Sequence, residues 1–141
     1  KVAPVGRLDI DTTGVMLLTN NGSLSHILLS PKRHVDKTYL AEVNHKLDES
    51  LINNFKDGII LDDGYKCLPS TLKIVDDFRA LLTIHEGKFH QVKRMFQVFG
   101  YEVISLDRIS FANLTYDGLK QGEYRELTEE EIKYLLDLAN L

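Results

Sequence analysis

The chain has 141 residues, 43% of them hydrophobic and 27% charged, with a net charge of −4 and one cysteine. This length reads as one α+β domain, 1–141, able to bury roughly two thirds of its unfolded surface without a structural metal or disulfide. The lone Cys67 excludes an intrachain disulfide and fits a reducing cytoplasm, and no apolar run approaches the roughly 20 residues of a membrane helix.

In chain order, Gly6 to Gly14 reads as a loop, polar between its two glycines. Val15 to Thr19 predicts a short buried strand, broken by Asn20-Asn21-Gly22. Ser23 to Leu29 predicts a helix with Leu24, Ile27 and Leu28 on one face, ended by Pro31. Thr38 to Val43 predicts a strand with Tyr39, Ala41 and Val43 on one face. Asp48 is placed to cap a helix carrying Leu51, Ile52 and Phe55, with Gly58 at its end. Ile59 to Leu61 predicts a strand closed by the turn Asp62-Asp63-Gly64. Leu72 to Val75 and Ala80 to Ile84 form a hairpin across Asp76-Asp77-Phe78. Residues 88–99 predict a helix with Val92, Met95, Phe96 and Phe99 on its apolar stripe and Gly100 as its stop. Val103 to Ala112 is strand-like. Thr128-Glu129-Glu130-Glu131 is a capping box before Ile132, Leu135, Leu136 and Ala139. Interleaved helices and hairpins predict a mainly antiparallel or mixed sheet flanked by helices.

Charge is unevenly spread. Acidic residues collect late, at Glu123, Glu126, Glu129, Glu130, Glu131 and Asp137. Basic residues form two groups: Lys32, Arg33, His34 and Lys37, then Lys88, His90, Lys93 and Arg94. One basic face and one acidic end would reconcile RNA binding with a negative total. A mixed surface without a field is the plain alternative.

Three constellations can carry chemistry. In Gly6-Arg7-Leu8-Asp9-Ile10-Asp11-Thr12-Thr13-Gly14, turn-forming side chains can hold Asp9 rigidly as a catalytic carboxylate. The same residues also suit an ordinary turn with Asp9 paired to Arg7, and Asp9 with Asp11 could suggest a metal pair. In Lys37-Thr38-Tyr39, the lysine and tyrosine share one side of a strand, where Tyr39 can stack on a base and Lys37 meet a phosphate. In the helix, His90, Lys93, Arg94 and Gln97 line up at i, i+3, i+4 and i+7. Cations near a helix start oppose the dipole, so a phosphate or a carboxylate must favour them there. No Gly-rich phosphate loop, zinc spacing or nucleophilic cysteine motif is present, so the sequence implies no cofactor and no metal.

Taken in order, these motifs resemble the pseudouridine synthases. The match runs from Gly-Arg-Leu-Asp-x-x-Thr-x-Gly and Thr19-Asn20-x-Gly22 through Ser30-Pro31-Lys32-Arg33-His34 and Lys37-Thr38-Tyr39-Leu40. It continues at Glu86-Gly87-Lys88-Phe89-His90-Gln91-Val92-Lys93-Arg94-Met95-Phe96 and ends in Gly122-Glu123-Tyr124-Arg125-Glu126-Leu127-Thr128-Glu129-Glu130-Glu131. It is most like the branch typified by the small-subunit ribosomal RNA enzyme RsuA, and sister enzymes of the large subunit share the first and third motifs.

The resemblance implies a pseudouridine synthase fold and isomerisation of a uridine in ribosomal RNA, with 16S RNA favoured over 23S. It implies Asp9 as catalyst, Tyr39 packed on the uracil, and Lys93, or alternatively Arg94, paired with Asp9. Arg7 is expected to support the site. Lys32, Arg33, Lys37, Lys88, His90 and Arg94 are expected to meet RNA. It also implies that a first conserved block and a small RNA-binding domain precede this sequence. The expected partner is ribosomal RNA within a small-subunit assembly intermediate, met by a monomer in the cytoplasm. A non-catalytic RNA-binding module would use the basic helix without needing Asp9, and a metal-dependent phosphoesterase would use Asp9 and Asp11.

Overall fold

The computed structural model describes residues 1–141. Its elements are β1 (Ala3–Pro4), β2 (Thr13–Gly14), β3 (Leu18–Thr19), α1 (Gly22–Leu29), a 3-10 turn (Pro31–Arg33), β4 (Lys37–Val43) and α2 (Ser50–Asp57). There follow β5 (Thr71–Ile74), β6 (Arg79–Ile84), α3 (Gln91–Gln97), β7 (Val103–Phe111), β8 (Leu114–Thr115) and α4 (Glu129–Leu138). Six strands form one sheet in the order β2-β7-β4-β6-β5, with β8 beside β7, and β1 pairs separately with β3. Only β2 runs parallel to its neighbour; every other pairing is antiparallel. The fold is therefore α+β with a mixed, mainly antiparallel sheet, as the interleaved hairpins imply.

Local chemistry explains most boundaries. Asp76 Oδ1 accepts from the amides of Phe78 and Arg79 at 3.0 and 2.9 Å and closes the β5–β6 hairpin. Thr128 and Glu131 exchange the two bonds of a capping box at the start of α4. β4 lies between β7 and β6, and its inward Ala41 and Val43 enter an apolar cluster with Leu51, Phe55, Leu82, Met95 and Phe96. A second cluster gathers Val5, Val15, Leu17, Leu24, Leu28, Phe111 and Leu135. The Asp9 loop leads out of Val5 and back through β2 into Val15, so the second cluster anchors both of its ends.

Four elements differ from expectation. Only Leu18–Thr19 of the apolar run 15–19 is a strand; Val15 instead donates from its amide to Arg108 O at 2.9 Å, and Leu17 O accepts from Val5 at 2.8 Å. Ile59 to Leu61 makes a single bridge, Ile60 with Lys66, because the turn at Asp62-Asp63-Gly64 reverses the chain at once. Glu49 rather than Asp48 occupies the N-cap of α2, yet Asp48 Oδ1 accepts from Ser50 N at 2.8 Å. The helix expected at 88–99 begins only at Gln91, because His90 is left-handed with φ 50°. Gln91 Oε1 accepts from Lys88 N at 3.0 Å and folds residues 88–90 into a turn ahead of α3.

Candidate active site

The 6–14 loop and the start of α3 meet at Asp9. Asp9 O accepts from Thr12 N at 2.9 Å, which closes a turn at this residue. Its side chain is 25% exposed. Lys93 Nζ lies 3.7 Å from Asp9 Oδ2, and His90 Nε2 lies 3.7 Å from Asp9 Oδ1. Lys93 therefore reaches Asp9, but its shorter bond goes to Asp11 Oδ1 at 2.5 Å. That bond, over the cost of burial, holds the Lys93 ammonium above its ordinary range and Asp11 below the usual carboxylate range.

Arg94 does not join them. Its guanidinium bonds Asp62 and Asp63, each at 2.9 Å, and Phe89 O at 3.1 Å. One step along a helix turns the side chain by about 100°, which sends Lys93 to the Asp9 loop and Arg94 to the 62–64 turn. The cations near the start of α3 are thus favoured by carboxylates. The alternative pairing of Arg94 with Asp9 is corrected, and Arg94 is committed to an internal ion pair rather than held out for phosphate. Arg7 makes no ion pair with Asp9; it lines the space around it.

Two connected pockets open on Asp9. The inner one, about 80 Å³, is bounded by Asp9, Thr12, Tyr39, Ile84, Gly87, Lys88, Val92 and Leu106, among others. The outer cleft, about 580 Å³, is lined by Pro4, Gly6, Arg7, Leu8, Asp9, Ile10, Met16, Phe89 and His90. Arg7, Leu8, Asp9 and His90 border both. Tyr39 stands in the inner pocket directly across the sheet from Arg108. Burial raises its phenol, Arg108 pulls the other way, and the Asp9 charge adds to the rise.

The remaining sequence candidates separate. Lys37 is only 6% exposed, with its ammonium beside Gly87, and burial pushes it below the ordinary lysine range. It is a core lysine rather than a surface phosphate contact, a correction that follows from its position in step with Ala41 and Val43 on β4. Lys32 is exposed and Arg33 half-buried on the 3-10 turn, and neither borders either pocket. Lys88 borders the inner pocket, with its ammonium 4.7 Å from the centre of the Tyr65 ring.

Two residues escaped the sequence reading. Arg108 is buried on β7 and donates from Nε and Nη2 to Val15 O at 3.0 and 2.6 Å, tying the sheet to the exit of the Asp9 loop. A charge two residues from the inward Leu106 was its only signal. Glu86 is buried and accepts from the Tyr65 hydroxyl, from Leu68 N at 2.7 Å and from Gln91 Nε2 at 3.1 Å. It thereby braces the 86–91 turn that delivers His90 and Lys93.

A family model described as RNA pseudouridylate synthase matches residues 1–98. The chain belongs to the RNA pseudouridylate synthase family. The ribosomal small subunit pseudouridine synthase A of Haemophilus influenzae is 43% identical over 138 residues, which cover 96% of this chain and 60% of that protein. The ribosomal large subunit pseudouridine synthase B of Bacillus subtilis is 42% identical over 146 residues, covering 99% of this chain and 59% of that protein. A crystal structure of a pseudouridylate synthase superposes with a TM-score of 0.92 at 43% identity, over 96% of this chain and 60% of that one. The chain thus spans about three fifths of the length of the relatives it matches.

Proposed function

We propose that this chain isomerises a uridine of ribosomal RNA to pseudouridine, with Asp9 as the catalytic carboxylate. The observation that carries this reading is the position of Asp9, shared by both pockets and flanked by Lys93 and His90 at 3.7 Å. The reaction breaks the N1–C1′ bond, turns the base and forms the C5–C1′ bond; C5 loses its proton and N1 gains one. Positive character develops at C1′ as the first bond breaks, and an ionised carboxylate stabilises or captures it. Lys93 places a positive charge 3.7 Å from the Asp9 carboxylate. The target base must leave its stack to reach the inner pocket, where Tyr39 offers a ring to hold it.

The favoured substrate is 16S RNA in a small-subunit assembly intermediate, met by a monomer in the cytoplasm. The similarity to the small-subunit synthase of Haemophilus influenzae supports the small-subunit part of this reading. A uridine of 23S RNA is the second reading, supported by the match to the large-subunit synthase of Bacillus subtilis over nearly the whole chain. Mapping pseudouridines in ribosomal RNA from a strain lacking the gene tests both. Loss of one 16S position is expected, loss of a 23S position selects the second reading, and an unchanged map defeats the proposal.

A further inference from the structure

The geometry points to a second nucleotide subsite in the outer cleft, in which Phe89 stacks the unpaired base next to the target uridine. The inference rests on reading the inner pocket as the uridine slot. That pocket is small, so RNA entering it must continue through the cleft that shares Arg7, Leu8, Asp9 and His90 with it. The ring of Phe89 lies 3.8 Å from that of His90 at an interplanar angle of 19°, which covers one face. At 69% exposure, its other face is free. Ile10, fully exposed, lines the same cleft. Arg7, which has no carboxylate partner, supplies a cation there. An aromatic platform beside an uncommitted cation is the usual equipment of a single-stranded RNA site. His90 has a left-handed backbone, at φ 50°, just ahead of α3, and both rings line the cleft.

The test uses the full chain and two measurements. In the first, tritium release from a 16S transcript carrying C5-tritiated uridine gives kcat and KM. Phe89→Leu should raise KM by about 5- to 150-fold, the range for one lost base stack, with little change in kcat. Phe89→Tyr should restore the parent KM. A Phe89→Leu variant that loses kcat at unchanged KM overturns the subsite, because the ring would then act only by holding His90. In the second, fluorescence anisotropy compares pentauridylate with a pentamer of abasic ribonucleotides. The parent should prefer the bases, and Phe89→Leu should reduce that preference. Equal binding of both pentamers by the parent overturns the subsite, whatever the tritium assay reads. Absence of tritium release in the parent defeats the 16S reading, while the pentamers still decide the subsite.

Discussion

Lys93 makes its short bond to Asp11, at 2.5 Å, and stands 3.7 Å from Asp9. One ammonium is shared by two carboxylates with different surroundings: Asp11 is largely exposed, whereas Asp9 borders both pockets. Hydrogen-bond length alone would nominate Asp11 as the important partner. The pockets nominate Asp9.

Substitution separates the two. Asp9→Asn should reduce turnover by more than about 10³-fold, the scale for removing a reacting group. Asp11→Asn should keep turnover within about fivefold, the scale for losing an exposed ion pair. Single-turnover tritium release at saturating RNA measures both. Equal losses in the two variants would make the pair, rather than Asp9, the catalytic unit.

Tyr39 faces Arg108 across the sheet and opens into the inner pocket. Its ring, not its hydroxyl, is expected to hold the base. Tyr39→Phe should therefore bind RNA within about twofold of the parent, and Tyr39→Leu should lose roughly 1–3 kcal/mol of affinity. Filter binding at fixed salt compares the three proteins. An equal loss in both variants would transfer the role to the phenol.

Much of this arrangement was legible in the sequence where the cause is local. The Thr128 capping box, the Asp76 turn and the alternation along β4 are written in residues two or three apart, and the structure contains all three. The meeting of the Asp9 loop with α3 was legible only through the resemblance, because Asp9 and Lys93 lie far apart in the chain. What stayed hidden depends on tertiary surroundings. The burial of Lys37 follows from a neighbouring strand on each side of β4. The choice of Asp11 over Asp9 by Lys93 is a matter of about one ångström. The left-handed turn at His90 comes with the Gln91–Lys88 bond, which no spacing announces.

Glu131 offers a test by pH. The Arg125 guanidinium, bonded at 2.8 and 2.7 Å, and the Thr128 amide hold its carboxyl down to about 2, from an ordinary 4.5. A lowered folded-state pKa contributes stability that is complete above 4.5 and is lost as pH falls through about 2. Glu131→Gln should therefore lower the urea midpoint at pH 7. The gap to the parent should narrow between pH 4.5 and pH 2 and vanish below. A gap that is constant with pH would assign the effect to helix capping geometry rather than to charge.

Gly14 tests how tightly the Asp9 loop is tied to the sheet. It pairs with Arg108 across β2 and β7 at φ 124°, a conformation that L side chains rarely adopt. A Cβ there would stand 2.1 Å from Arg108 O and 2.6 Å from Arg108 N, both backbone atoms that cannot swing aside. Gly14→Ala must push β2 off β7, at a cost of more than about 2 kcal/mol. The displacement would travel to Asp9, because Arg108 also donates to Val15 O next to the same junction. Turnover should fall together with the urea midpoint. Gly22→Ala is the control: no atom lies within 4 Å of its Cβ position at the start of α1, and alanine there should leave stability unchanged or raise it by about 0.4–1 kcal/mol. If Gly14→Ala matched Gly22→Ala in both stability and turnover, the parallel pairing of β2 with β7 would not be what holds Asp9 in place.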